Sequence, residues 1–283
     1  MIKIAPDEIK SLSKYVYDIS GISLDQSKTY LFETRLGPLL EEYGLSSYSE
    51  LYNRAVSDVG KTVEKKIVDA ISTNETLFFR DKGPFEALRH KILPDLIDAR
   101  SAKSSGRFSI PIRIWSAACS TGQEIYSIAI ILKELLPDIS KYNIRLLGTD
   151  ISDAAIAQAS QGIYSKFEIE RGLAPDILRK YFSPVSGGWK VKDEIRAMAT
   201  FRKLNLMLPF KALGKFDIVF CRNVAIYFNM EDRKRLFERI AEILEPDGYL
   251  IIGSTESLTG ICPRFKPHKH IRSIYYQLVP DHK

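Results

Sequence analysis

The chain has 283 residues, 45% of them hydrophobic, and its 41 Lys and Arg against 35 Asp and Glu give a formal charge of +6. That length suits one large domain plus a small one, and the apolar share excludes a disordered or collagen-like chain. Cys119, Cys221 and Cys262 are too few and too far apart for a disulfide framework, and the four histidines lack a second ligand at zinc-site spacing, so no metal centre is expected.

The opening MIKIAPDEIK is too broken by charge for a signal peptide, and no apolar run reaches the roughly 20 residues of a membrane helix. A cytoplasmic protein without membrane insertion is the expectation. From Pro6 to Ile71 the apolar residues recur at helical spacing. Ile9, Leu12, Val16 and Ile19 share the face of a helix that Gly21 can end. Leu31, Leu36, Leu39 and Leu40 follow in a second, where Pro38 predicts a kink or break. SSYSELYNRAV and TVEKKIVDAIS read as two shorter helices, so residues 1–72 form an all-helical domain. Residues 1–82 carry 11 basic and 13 acidic side chains, net −2, which leaves +8 for the rest. That basicity is spread over helix faces. It lacks the clustered cations and stacking aromatics of a nucleic-acid cleft, so no nucleic-acid partner is expected.

ISTNETLFFRD, from Ile71 to Asp81, sets small polar residues and a charge pair around two phenylalanines. Taken locally, it reads as a helix N-cap at Thr73 or Asn74 followed by core Leu77 and Phe78. Residues 73–110 are then a linker and the helix FEALRHKILPDLIDARSA, closed by the polar loop KSSGRFSIP. Beyond Pro111, strand and helix alternate: IRIWSAA, EIYSIAIILKELL, IRLLGTD, DAAIAQASQG, KFDIVFCR, EDRKRLFERIAEILEPDG, YLIIGS and IYYQLV. This is the rhythm of βαβ units, so residues 111–283 are expected to form a doubly wound, mostly parallel Rossmann-like sheet. SPVSGGWKV, within a stretch that breaks the rhythm, predicts a small inserted antiparallel subdomain around 165–200.

In such sheets ligands sit beyond the C-terminal strand ends, where strand order reverses. WSAACSTGQEIYSIA runs through Gly122 into a helix start, but it is neither a G-x-G-x-x-G motif nor a phosphate loop, and Glu124 in the first turn disfavours a pyrophosphate. Asp150 ends LLGTD, where a carboxylate can accept both hydroxyls of a ribose. It could instead cap the following helix, a task open equally to Ser152. FRKLNLMLP brings Asn205 and Leu206 to a proline break, where they could frame an adenine edge. DIVFCRNVAIYF is a buried strand that ends abruptly in Arg222 and Asn223, with Tyr227 one turn later. A nucleoside cofactor that carries a cation and lacks a pyrophosphate fits these signals, and S-adenosyl-L-methionine is such a molecule.

STNETLFFRD, IRIWSAACSTGQEIYSIAI, LLGTDIS, GIYS, FRKLNL, FDIVFCRNVAIYF and LEPDGYLIIGSTESL occur in this order along the chain. On these motifs the sequence resembles the chemotaxis receptor glutamate O-methyltransferase family. The resemblance implies transfer of a methyl group from S-adenosyl-L-methionine to receptor glutamates, leaving γ-methyl esters and S-adenosyl-L-homocysteine. It implies that Asn74, Thr76 and Arg80 line the pocket from the linker side. Glu124 would meet the methionine part, Asp150 the ribose, and Asn205 and Leu206 the adenine, with Asn223 also at the cofactor. Arg222 and Tyr227 would lie beside the reacting groups. Two departures are visible: Gly122-Gln123-Glu124-Ile125-Tyr126-Ser127 stands where the family usually has GEEPYS, so one carboxylate and the proline are lost.

A glutamate carboxylate, with a reference pKa of about 4.3, is already ionised at neutral pH, so direct in-line transfer needs no general base. On this reading Arg80 grips the attacking carboxylate, Tyr227 sets its other oxygen or the donor, and Phe78 and Phe79 exclude water. The implied partner is the cytoplasmic helical region of chemotaxis receptors. Lys28, Arg35 and Arg54 are candidates for a basic docking face, and a monomer is the default. A non-catalytic sensor of the cofactor is the competing reading, distinguished by affinity without turnover.

Overall fold

Four helices build the N-terminal region: α1 (Pro6–Ser20), α2 (Thr29–Tyr43), α3 (Tyr48–Ser57) and α4 (Thr62–Ile71). Pro6 starts α1, and Gly21, at a φ of 77°, ends it by donating its N–H to the Tyr17 carbonyl. Leu12, Val16, Phe32, Leu36, Leu40, Tyr48, Leu51 and Ile67 form the buried centre of this bundle. Of the kink or break expected at Pro38, the break does not occur, and α2 runs on through it. Burial of Leu36, Leu39 and Leu40 around it outweighs the roughly 3 kcal/mol that an interior proline costs.

The computed structural model describes residues 2–24, 29–103 and 109–280. Lys28 and most of the KSSGRFSIP loop lie outside them. The other two expected docking cations have partners within the helical region. Arg35 donates to the Ile71 and Ser72 carbonyls at the end of α4, and Arg54 lies 4.5 Å over the Tyr43 ring. No helix starts at Thr73 or Asn74; residues 73–76 are irregular and 78–81 form turns. One helical run follows, made of α5 (Gly83–Ala87), a π turn over Leu88–Ile92 and α6 (Leu93–Lys103).

The rest is a doubly wound sheet. Strands β1 (Ile110–Ala117) and β2 (Tyr142–Asp150) flank α7 (Gln123–Leu135), and α8 (Asp153–Gln161) follows β2. Next come β3 (Ile163–Tyr164), α9 (Lys166–Glu170), α10 (Pro175–Tyr181), β4 (Phe182–Val185), β5 (Gly188–Val191), α11 (Asp193–Arg196) and β6 (Ala199–Lys203). The chain ends with β7 (Phe216–Cys221), α12 (Met230–Ile243), β8 (Leu244–Ile252), β9 (Phe265–His270) and β10 (Ser273–Leu278). The large sheet has the order β6-β2-β1-β7-β8-β10-β9; its first five strands are parallel and the last two antiparallel. The small antiparallel sheet, β3-β5-β4, is the predicted insertion.

Strand β7 is buried along its whole length, as a strand covered on both faces must be. Fully buried Trp115 in β1 stacks on Phe216 and donates its indole N–H to Thr149 Oγ1 at 3.0 Å, which locks β1 against β2. Chain order reverses between β1 and β7, so the crevice above their C-terminal ends is where a ligand is expected. The helical bundle closes that crevice from one side. The Tyr17 hydroxyl donates to Asp232 at 2.8 Å, the Asn205 amide donates to the Ile19 carbonyl at 3.0 Å, and the Ser152 hydroxyl donates to Asp69 at 2.7 Å.

Candidate active site

The turn from β1 to α7 is unusually tight. Ala118, Ser120 and Gly122 all have positive φ, at 60°, 50° and 96°. Two non-glycine residues in the left-handed region mark a strained backbone held by its surroundings. Here the Cys119 N–H donates to the Thr149 carbonyl at 2.8 Å, and the Tyr164 hydroxyl donates to the Thr121 carbonyl at 2.8 Å. Gly122 has no alternative: a Cβ there would lie 2.9 Å from that of Ala159.

This turn faces a cavity with about 830 Å³ of atom-free space, its open mouth included. The ten residues expected to meet the cofactor or the acceptor all lie on its wall: Asn74, Thr76, Arg80, Glu124, Asp150, Asn205, Leu206, Arg222, Asn223 and Tyr227. They come from the linker, the first turn of α7, the end of β2 and the segments that follow β6 and β7.

Asp150, at the end of β2, is fixed from both sides, for its carboxylate accepts the Ser120 N–H at 2.8 Å and the Ser152 N–H at 3.0 Å. Each oxygen keeps a further lone pair. Burial pushes this carboxyl above the ordinary aspartate range, against the opposing effect of those N–H groups. The helix cap falls to Ser152, whose Oγ accepts from the Ala155 N–H, so Asp150 is free of that task.

Glu124 bridges two groups: its Oε1 accepts from Ser116 at 2.7 Å and its Oε2 from Arg222 Nη1 at 2.8 Å. The Arg222 side chain is only 2% exposed. Its Nη2 donates to Asp81 at 2.9 Å and to the Arg80 carbonyl at 2.8 Å, and its guanidinium lies 5.5 Å over the Phe85 ring. Arg222 is thus a strut between β7, α7 and the linker, with Nε alone left without a partner. Arg80 differs. It donates to the Glu75 carbonyl at 2.8 Å and, among the described residues, has no carboxylate partner.

Phe78 and Phe79 do not dry the cavity as expected. Phe78 is buried edge-on against Tyr164 and Phe182, and Phe79 packs on Phe85. Their apolar area anchors the linker to the core beside the small sheet, while Leu206, Tyr227 and Phe228 supply the apolar lining. Sequence reading missed Ser20 and Ile22, which reach the cavity from the end of α1, because nothing local to them signals a ligand. It also missed Asp81, although the Arg80-Asp81 charge pair was a usable clue.

Two polar atoms of the wall, Ser120 Oγ and Arg222 Nε, are buried with no hydrogen-bond partner. Such groups are uncommon in native interiors and fit a ligand that supplies the missing partners. With the pinned Asp150 carboxylate beside them, the donor and acceptor set suits a hydroxyl-bearing nucleoside with a charged tail, as S-adenosyl-L-methionine is. Among the described residues no group of His, Cys, Asp and Glu could hold a metal ion, and no helix is long and apolar enough to cross a membrane.

Residues 74–273 match the family described as CheR methyltransferase, SAM binding domain, and residues 7–72 match CheR methyltransferase, all-alpha domain. The chain is 38% identical over 285 residues to a chemotaxis protein methyltransferase of Vibrio parahaemolyticus, covering 98% of both chains. It is equally similar, at 38% and the same coverage, to chemotaxis protein methyltransferase 1 of Vibrio cholerae. Chemotaxis protein methyltransferase 1 of Pseudomonas aeruginosa is 41% identical over 246 residues, or 85% of this chain and 86% of that one. With cavity, strand order and both matched regions in agreement, this chain belongs to the CheR family of chemotaxis methyltransferases and has that family's S-adenosylmethionine-binding domain.

Proposed function

We propose that the enzyme methylates glutamate side chains in the cytoplasmic helical region of chemotaxis receptors, working in the cytoplasm and leaving γ-methyl esters. When bound, S-adenosylmethionine supplies an electrophilic methyl group on a cationic sulfur. Asp150 and Ser120 are suited to the ribose hydroxyls, Asn205 and Leu206 to the adenine edge, Glu124 to the methionine part, and Asn74, Thr76 and Asn223 to the adjoining wall.

The observation that carries the reading of the acceptor is the contrast between the two cavity arginines. Arg222 is held by two carboxylates, whereas Arg80 lines the cavity with no acidic partner among the described residues. A guanidinium in that state is ready for an incoming carboxylate and can fix its direction. Tyr227, half-buried at the same wall, can donate to its second oxygen. Orientation is the main service these residues render, because the acceptor arrives ionised and no proton has to be removed. Arg222 serves by position: it keeps Glu124, Asp81 and the Arg80 backbone in place.

The test is transfer of labelled methyl groups to membranes that carry competent chemoreceptors. Base-labile label on the receptor, lost with Arg80→Ala, is the expected result. Tight cofactor binding with no label on any receptor would overturn the proposal and leave a sensor of the cofactor.

A further inference from the structure

Strand β8 uses the apolar part of LEPDGYLIIGSTESL, but its tail, Gly253 to Ser257, lies outside the cavity wall. Even so, this tail touches both sides of the cavity's acceptor end. Glu256 Oε2 accepts two backbone N–H groups, those of Asn223 and Gly253, each at 2.7 Å. Cys221 and Ile252 are the last paired residues of β7 and β8, so both N–H groups lie just past the point where the strands stop satisfying each other. One charged oxygen replaces the missing strand partner for both, and bonds to an ionised acceptor are roughly twice as strong as neutral ones.

Asn223 needs that support, because its φ of 56° is left-handed and places it at the turn that carries the chain from Arg222 to Tyr227. Asparagine tolerates this conformation better than most residues, but tolerance does not select it. Space around the loop is equally specific. A Cβ on Gly253 would lie 2.4 Å from Glu256 Oε2 and 2.9 Å from Asn223 Nδ2, so the clasp closes only over a glycine. On the other side, the Ser254 hydroxyl donates to Asp81 Oδ2 at 3.3 Å, the same oxygen that holds Arg222.

We propose that Glu256 is a positioning residue of the methyltransferase site: it fixes the Asn223 backbone and so aims Asn223 and Tyr227 into the cavity. This rests on the reading of Asn223 and Tyr227 as cofactor- and acceptor-facing residues. The test uses the full chain with Glu256→Ala and Glu256→Gln. S-adenosyl-L-homocysteine is titrated by calorimetry, and deuterium exchange of residues 221–228 and the thermal midpoint are followed without cofactor.

For the alanine variant the expected results are about tenfold weaker binding and faster exchange over 221–228, with the midpoint shifted by only a few degrees. Glutamine keeps an oxygen that can accept from the same two N–H groups, so its affinity stays within about threefold of the parent. Unchanged affinity and exchange in the alanine variant would overturn the proposal. So would equal damage in both variants in step with a falling midpoint, which would mark a packing role. All these readings are made without an acceptor. If the unsubstituted enzyme failed to label receptors, the proposed acceptor would fall and this inference would stand or fall separately.

Discussion

The linker around Arg80 and the exit of β7 around Arg222 both bring a guanidinium to one cavity, and both rely on left-handed non-glycine residues: Phe79, Asp81 and Lys82 in the first, Asn223 in the second. Their surroundings set them apart. Arg222 is buried, ion-paired twice and stacked on an aromatic ring, whereas Arg80 spends one donor on a nearby carbonyl. The same residue type is framework in one place and free to bind in the other, and the distinction comes from what lies within hydrogen-bonding distance.

The sharpest way to break this contrast is Arg222→Ala. It strands the Glu124 and Asp81 carboxylates, and loss of one partner from a buried ion pair costs about 3–5 kcal/mol, so urea denaturation should show a loss of that order together with loss of activity. Arg80→Ala should do the opposite. Stability stays within about 0.5 kcal/mol while kcat/KM for receptor falls roughly a hundredfold, about 2.7 kcal/mol of transition-state stabilisation. Comparable destabilisation by the two substitutions would end the distinction.

Asp150→Asn is next in size. It removes a charged acceptor and should weaken cofactor binding roughly tenfold to thirtyfold in calorimetry. The pH dependence has a definite sign. Because burial raises the Asp150 pKa, its binding-competent anion is lost on acidification at a higher pH than an ordinary aspartate would titrate, and cofactor affinity should fall there first.

The smallest effect belongs to the domain seam. Tyr17→Phe deletes the bond to Asp232 and should cost about 1 kcal/mol by urea denaturation. Burial alone would raise the Asp232 pKa, but hydrogen bonds from Arg235, Tyr17 and Asn229 outweigh it and hold the carboxyl below the usual range. Its stabilising contribution is therefore present above the unfolded aspartate pKa and fades as pH falls through the lower folded value, so the Tyr17→Phe penalty should shrink in strong acid.

The site was legible where chemistry sits at strand ends. Asp150, Arg222 and Asn223 announce themselves because a buried run stops at a polar residue, and the alternation from β1 to β8 is what a parallel sheet requires. What stayed hidden depends on long-range contact. The local reading puts Phe78 in the core, where it lies, but nothing near it names Tyr164 and Phe182 as its partners, and nothing near Arg35 says that it caps α4. Edge strand β6 was obscured because ATFRK is short, half-exposed and paired only with β2. Pro38 does not break α2, because local propensity yields to tertiary packing.

The carbonyl of Ile19 receives the Asn205 amide, and Ser20 and Ile22 stand on the cavity wall just beyond it. Exchanging helical domains between relatives is therefore not the transplant of an independent module. The graft also carries one wall of the cofactor chamber. A chimera keeps its grip on the methyl donor only where the incoming helix ends with a carbonyl, a glycine turn and side chains that match the host's 205–207 loop.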